Sequence, residues 1–142
     1  MKLSEITPKN ALLVALANPN DIKIILKIVE IAPGKAVEIA KAIPEKAVEI
    51  AQVLPEKAVK IAQALPEKAA YIAEILPEKA VRIAQVLPEK AVKIAQVLPK
   101  KEVEIAKAVP HRAADIAEAV QSEAVKIAKA VPEMLKKFKI TD

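Results

Sequence analysis

Proline falls at residues 33, 44, 55, 66, 77, 88, 99 and 110, at every eleventh position, and the same frame runs on through Gln121 to Pro132. Aligned on that position, the units share the consensus Pro-Glu-Lys-Ala-Val-x-Ile-Ala-Gln-Val-Leu, and nine consecutive frames cover residues 33–131. The seventh position is isoleucine in all nine, from Ile39 to Ile127, and the eighth is alanine in all nine, from Ala40 to Ala128. A period this strict requires a fold that repeats one small unit of structure.

Eleven residues are close to three helical turns, so one uninterrupted supercoiled helix is the first geometry to weigh. Proline argues against it, because each interior proline loses a backbone donor and clashes with the carbonyl four residues back, at about 3 kcal/mol. Eight such sites would cost roughly 24 kcal/mol, against a total stability of about 5–15 kcal/mol for a typical domain. The favourable place for proline is the first turn of a helix, where its missing N–H has no partner to lose. The following Glu then sits where the helix dipole favours an anion. Proline also pushes the preceding residue out of the helical region. Ile43, Leu54, Leu65, Leu76, Leu87, Leu98 and Val109 are therefore expected to form extended corners, each between helices of eight or nine residues.

Helices that short are marginal alone and must be held by their neighbours. On a wheel of about 100° per residue, the Pro, Ala, Val, Ile, Ala and Leu positions cover more than the single stripe of a surface helix. That wide arc suits packing against both the preceding and the following repeat. The expected fold is all-α, a solenoid of short single-helix eleven-residue repeats with capping units at both ends. Its parts are an N-terminal helical cap at 1–32, nine repeats at 33–131 and a C-terminal cap at 132–142, in one continuous domain. In the first cap, Thr7-Pro8 and Asn18-Pro19 read as capped helix starts. In the last, Lys136 and Lys139 replace the consensus Val and Ala, which would give the array a polar end.

Composition narrows the function. Apolar residues make up 54% of the chain and charged residues 29%, which excludes disorder from low hydrophobicity. Without cysteine there is neither a disulfide framework nor a thiolate zinc site. The net charge of +5 is spread, with acids and bases interleaved in nearly every frame and only the Lys126–Lys139 tail modestly basic. A polyanion groove would want a stripe of one sign with stacking aromatics, so nucleic acid is not the expected partner. Residues 1–5 do not open a secretory signal, and charges interrupt every stretch of membrane-spanning length. A soluble chain in the cytoplasm is the default expectation.

No catalytic, cofactor or metal constellation is read from these residues. His111 is the one histidine and occupies the second repeat position, where Glu is usual and solvent exposure is expected. A single imidazole without cysteine makes neither a triad nor a multidentate metal site. The carboxylates at positions two and six have lysines nearby, as in a solvated charge ladder, and one glycine cannot form a phosphate loop. The expectation is a protein that is not an enzyme and carries no cofactor.

Variation concentrates at the sixth position, which runs Glu38, Glu49, Lys60, Tyr71, Arg82, Lys93, Glu104, Asp115, Lys126. Repeat scaffolds that recognise a ligand vary such exposed positions on a fixed frame. Tyr71, Arg82, Lys93 and Lys60 are the candidate surface for a protein or peptide partner. Tenth-position residues such as Val53, Ile75, Val86 and Val97 could line an apolar strip through which copies of the chain associate.

The stacked short helices with polar caps resemble the armadillo, HEAT and related α-solenoid arrays, which implies a scaffold or binder. Those repeats are longer and hold at least two helices, so no ligand positions carry over. The unit Leu-Pro-Glu-Lys-Ala-Val-Lys-Ile-Ala is similar to the first helix of transcription-activator-like effector repeats. It lacks their second helix and base-reading loop, so DNA reading is not implied. The proline spacing also resembles that of the exchangeable apolipoproteins, whose units lie on lipid. That resemblance implies lipid-surface binding as the alternative function, although Ala, Val and Ile dominate here where lipid-surface helices favour larger apolar residues. The near-identity of the frames looks like consensus design or recent duplication.

Overall fold

The computed structural model describes residues 1–141, and among these every regular element is helical. By the density of its contacts the chain divides into two compact units, Met1–Lys68 and Ala69–Asp142. The first holds α1 (Ala11–Ala17), α2 (Ile22–Ile31), α3 (Ala36–Ala42), α4 (Ala47–Val53) and α5 (Ala58–Ala64). The second holds α6 (Ala69–Ile75), α7 (Ala80–Val86), α8 (Ala91–Val97), α9 (Glu102–Ala108), α10 (Ala113–Ala119) and α11 (Ala124–Ala130).

Every repeat but the one at Pro99 opens more tightly than expected. Its first three residues form a 3-10 turn, as at Pro77–Lys79, and seven α-helical residues follow from the position-four alanine. The corner residue explains how the chain turns without glycine. Leu87 sits at φ −131° and ψ 70°, outside the helical region but short of fully extended, and needs no positive φ. Its N–H donates to Ile83 O at 2.9 Å and its carbonyl accepts from Lys90 N–H at 2.8 Å. One residue thus closes one helix and opens the next, and the proline beside it has no N–H to leave orphaned.

Proline is not what holds this corner. In the frame beginning at Gln121 the corner Val120 has φ −125° and ψ 70°, and Gln121–Glu123 form the same 3-10 turn. Packing of the neighbouring repeats imposes the geometry, and proline restricts the unfolded chain. Gln121→Pro is therefore expected to stabilise the protein by about 0.4–1 kcal/mol. A urea titration followed by circular dichroism reads this as a higher midpoint at unchanged slope.

The interior repeats as strictly as the sequence. Within α7 the position-four, -seven and -eight residues Ala80, Ile83 and Ala84 have no exposed surface, and the corner Leu87 is nearly buried. The same holds for Ala36, Ile39, Ala40 and Ile43 of the first frame. The alanines let neighbouring backbones approach, and the isoleucine fills the space between them. In the first unit α1 packs on α2 and α3, α2 on α4, and α3 on α4 and α5. In the second, α6 packs on α7 and α8, α7 on α8 and α9, α8 on α9 and α10, and α9 on α10 and α11. With the exception of the α2–α3 pair, helices within a unit touch the next and the next but one, so each unit is a solenoid in which about two repeats complete a turn.

The ends differ from expectation in three respects. Thr7 and Asn10 close the turn before α1, with Thr7 Oγ1 accepting from Asn10 N–H at 3.3 Å and Asn10 Oδ1 accepting from Thr7 N–H at 2.7 Å, but the N-cap of α1 is Asn10, without a side-chain cap bond. Asn18 does not cap α2. Its Nδ2 donates back to Val14 O at 2.9 Å, and Asp21 caps α2 by accepting from Ile24 N–H at 3.2 Å. At the other end, Pro132–Phe138 form a 3-10 helix that leaves Leu135 and Phe138 more than two-fifths exposed, with Val125 of α11 68% exposed. The closure by Lys136 and Lys139 is thus partial, because core positions four and seven of that unit keep apolar side chains.

Candidate functional site

The two-repeat turn decides which sixth positions share a surface. Residues 22 apart in sequence become neighbours, as one ion pair shows directly. Lys137 Nζ lies 4.0 Å from Asp115 Oδ1 and 3.9 Å from Glu118 Oε1, linking the last unit to α10 across the helix between them. A cleft of about 420 Å³ has the same pairing, with His111 and Ala114 on one side and Glu133 and Lys136 on the other. In the second unit the sixth positions therefore form two rows. Tyr71, Lys93 and Asp115 belong to the α6–α8–α10 row, and Arg82, Glu104 and Lys126 to the α7–α9–α11 row.

The candidate surface is divided accordingly. Tyr71, 56% exposed, and Lys93 share one row, and Arg82 stands on the other. Lys60 is exposed on α5 of the first unit, whose alternate neighbour is α3 with Glu38. The tenth-position strip is also reduced. Val53 is exposed at 37%, whereas Ile75, Val86 and Val97 are half-buried.

Local ion pairing follows positions three and six. Lys35 meets Glu38 at 3.9 Å, Lys101 meets Glu104 at 3.7 Å, and Arg112 Nε meets Asp115 Oδ2 at 3.3 Å. In the last repeat both signs are exchanged, with Glu123 at position three 3.6 Å from Lys126 at position six. Pairs at this exposure contribute little to stability. Their value here is in showing which cations remain unpaired. In the frames beginning at 77 and 88 the two positions are Lys79 with Arg82 and Lys90 with Lys93, which cannot pair with each other.

Frame by frame, net charge alternates. The frames starting at 33, 55, 77, 99 and 121 each carry +1, those at 44, 66 and 110 carry −1, and only the frame at 88 departs, at +1. A two-repeat turn converts this alternation into two faces. The α7–α9–α11 row is basic in every repeat, whereas the α6–α8–α10 row changes sign along its length. Charge that is spread along the sequence is thus sorted in space. Sequence reasoning placed Lys79 in a solvated charge ladder and Lys129 in the basic tail, and did not single out Lys100 and Lys107, so it did not assemble the basic row. The charge sum taken in 22-residue steps would have found it.

Other clefts lie near the N-terminus, including one of about 320 Å³ lined chiefly by Met1, Leu3, Ile6, Val14 and Ile24. Among the described residues no three His, Cys, Asp or Glu side chains converge as a metal site. No helix among them is long and apolar enough to cross a membrane. Compared with protein-family models, with curated proteins and with solved structures, the chain has no match.

Proposed function

We propose that this chain is a non-enzymatic helical-repeat scaffold that presents a charged, variable exterior to a protein partner. One observation supports this above others. Positions four, seven, eight and eleven repeat with little change and are buried in most frames, while position six is largely exposed and passes through Glu, Lys, Tyr, Arg and Asp. A constant interior under a variable exterior is the division of labour of a repeat scaffold. The near-identity of the frames is what consensus design, or recent duplication of one unit, would produce.

A second reading is attachment to a lipid surface. The feature that favours it is the C-terminal end, where exposed Val125, Leu135 and Phe138 lie in a segment that also carries Lys126, Lys129, Lys136 and Lys139. The repeats themselves favour the scaffold, because the apolar side chains that a lipid-borne helix would insert are packed against neighbouring helices instead.

Far-UV circular dichroism with a thermal melt, in plain buffer and then with anionic vesicles, separates the two. The scaffold is expected to be highly helical in buffer, to melt cooperatively and to gain no helix from vesicles. Weak helicity that rises sharply with lipid would replace the scaffold by the lipid-surface reading.

A further inference from the structure

The α7–α9–α11 face carries more than a general excess of cations. Among the described residues, Lys79 and Arg82 on the α7 repeat, Lys100 and Lys107 on the α9 repeat, and Lys129 on α11 have no carboxylate within 4.0 Å. Arg82, Lys100, Lys107 and Lys129 are exposed, and Lys79 is half-buried. Lys101 and Lys126 are held by Glu104 and Glu123, and Glu78 is the remaining exposed acid. The net charge is thus +1 on each of the α7, α9 and α11 repeats.

We propose that this face is an electrostatic docking surface for an extended acidic segment of a partner protein. The proposal rests on the protein-interaction reading above and names its partner. Helices packed side by side lie about 8–10 Å apart, and an extended chain advances about 3.3 Å per residue. A carboxylate at every third residue of the partner would therefore meet one helix of the row after another.

Two other anionic partners fit the face less well. Glu78, Glu104 and Glu123 interrupt the cations at each helix, which disfavours a continuous phosphate backbone, whereas a peptide can place neutral residues opposite them. Nor are there aromatics for base stacking, since Tyr71 stands on the other row. Membrane docking would need apolar side chains at the surface. Of the exposed large apolar residues in this unit, only Val125 belongs to α7, α9 or α11.

The test is fluorescence anisotropy with a labelled peptide of about fifteen residues, glutamate at every third position and serine or glycine between. It is titrated with the full chain at about 25 mM and about 150 mM salt. Arg82→Glu with Lys107→Glu is compared with Lys90→Glu and Lys93→Glu, a double reversal that changes net charge equally but lies on the opposite row. The first pair is expected to weaken binding by about tenfold or more, and the second by less than about threefold. Arg82→Gln with Lys107→Gln, which removes charge without adding repulsion, gives a smaller loss in the same direction and serves if the reversals perturb folding. Equal weakening by both double reversals would show that net charge alone attracts the peptide, and would overturn the proposal. So would absence of binding at the lower salt, or tighter binding of a single-stranded oligonucleotide or of phosphatidylserine vesicles through Arg82 and Lys107. Loss of peptide binding with a cooperative, lipid-independent melt removes the docking face and leaves the scaffold standing. A chain that folds only on vesicles removes the scaffold itself.

Discussion

Replacing Ile83 with alanine is expected to destabilise the protein by about 2–5 kcal/mol. Ile83 has no exposed surface and sits between Ala80 and Ala84, which are equally enclosed. The cost combines the lost burial of the side chain with that of the cavity it leaves. The α7 helix is packed against α6, α8 and α9, so the damage spreads to them rather than staying in α7. The measurement is a urea titration of the variant beside Val125→Ala. Val125 is 68% exposed and its truncation is expected to cost less than about 0.5 kcal/mol. Equal losses from the two would mean that position seven is not the core of the repeat.

The opposite sign is expected for Glu102→Ala, a gain of about 0.5–2 kcal/mol from restoring the consensus residue. Glu102 is 5% exposed and occupies position four, where seven of the other eight frames bury alanine completely. None of the ion pairs or side-chain hydrogen bonds of the described residues involves its carboxylate. Its carboxylate oxygens are not among the buried, unpartnered polar atoms, so it is the stem that is packed where other frames hold alanine, and this frame departs from the common turn. Pro99–Lys101 form a plain turn where every other frame of the array opens with a 3-10 turn. The preceding corner bond reaches only from Leu98 N–H to Ala95 O at 3.4 Å, whereas Leu87 and Val109 bond four residues back at 2.9 Å. Alanine restores the consensus and removes the longer stem from position four. A raised urea midpoint at unchanged slope is the expected result. An unchanged or lowered midpoint would mean that the stack accommodates the Glu102 stem without cost.

The surface was less legible than the core. Positions seven and eight declare themselves by invariance, and position eleven by remaining Ile, Leu or Val, because a buried position tolerates few side chains. The variable sixth position declares its exposure by the same logic read in reverse. Which sixth positions face the same way is not written in any single frame. Tyr71, Arg82 and Lys93 are consecutive members of one series, yet the fold sends Arg82 to a different row from the other two. Asn18 offers a local parallel. As an N-cap followed by proline it reads as a helix start, but it bonds backward to Val14, and Asp21 serves as the cap. Nothing in the dipeptide distinguishes these two uses of a short polar side chain.

By itself the sequence determined that the chain is helical, that the unit is eleven residues and that the helix breaks before each proline. These are consequences of local chemistry: period, propensity and the steric demands of the proline ring. Tertiary structure decided the rest. The corner at Val120 keeps the common geometry without proline because stacked neighbours impose it. Two repeats make a turn because that spacing lets small alanine faces close on helices one and two units away, a condition on the whole stack that no single frame encodes. From that pitch alone a charge alternation along the chain becomes a basic face of α7, α9 and α11.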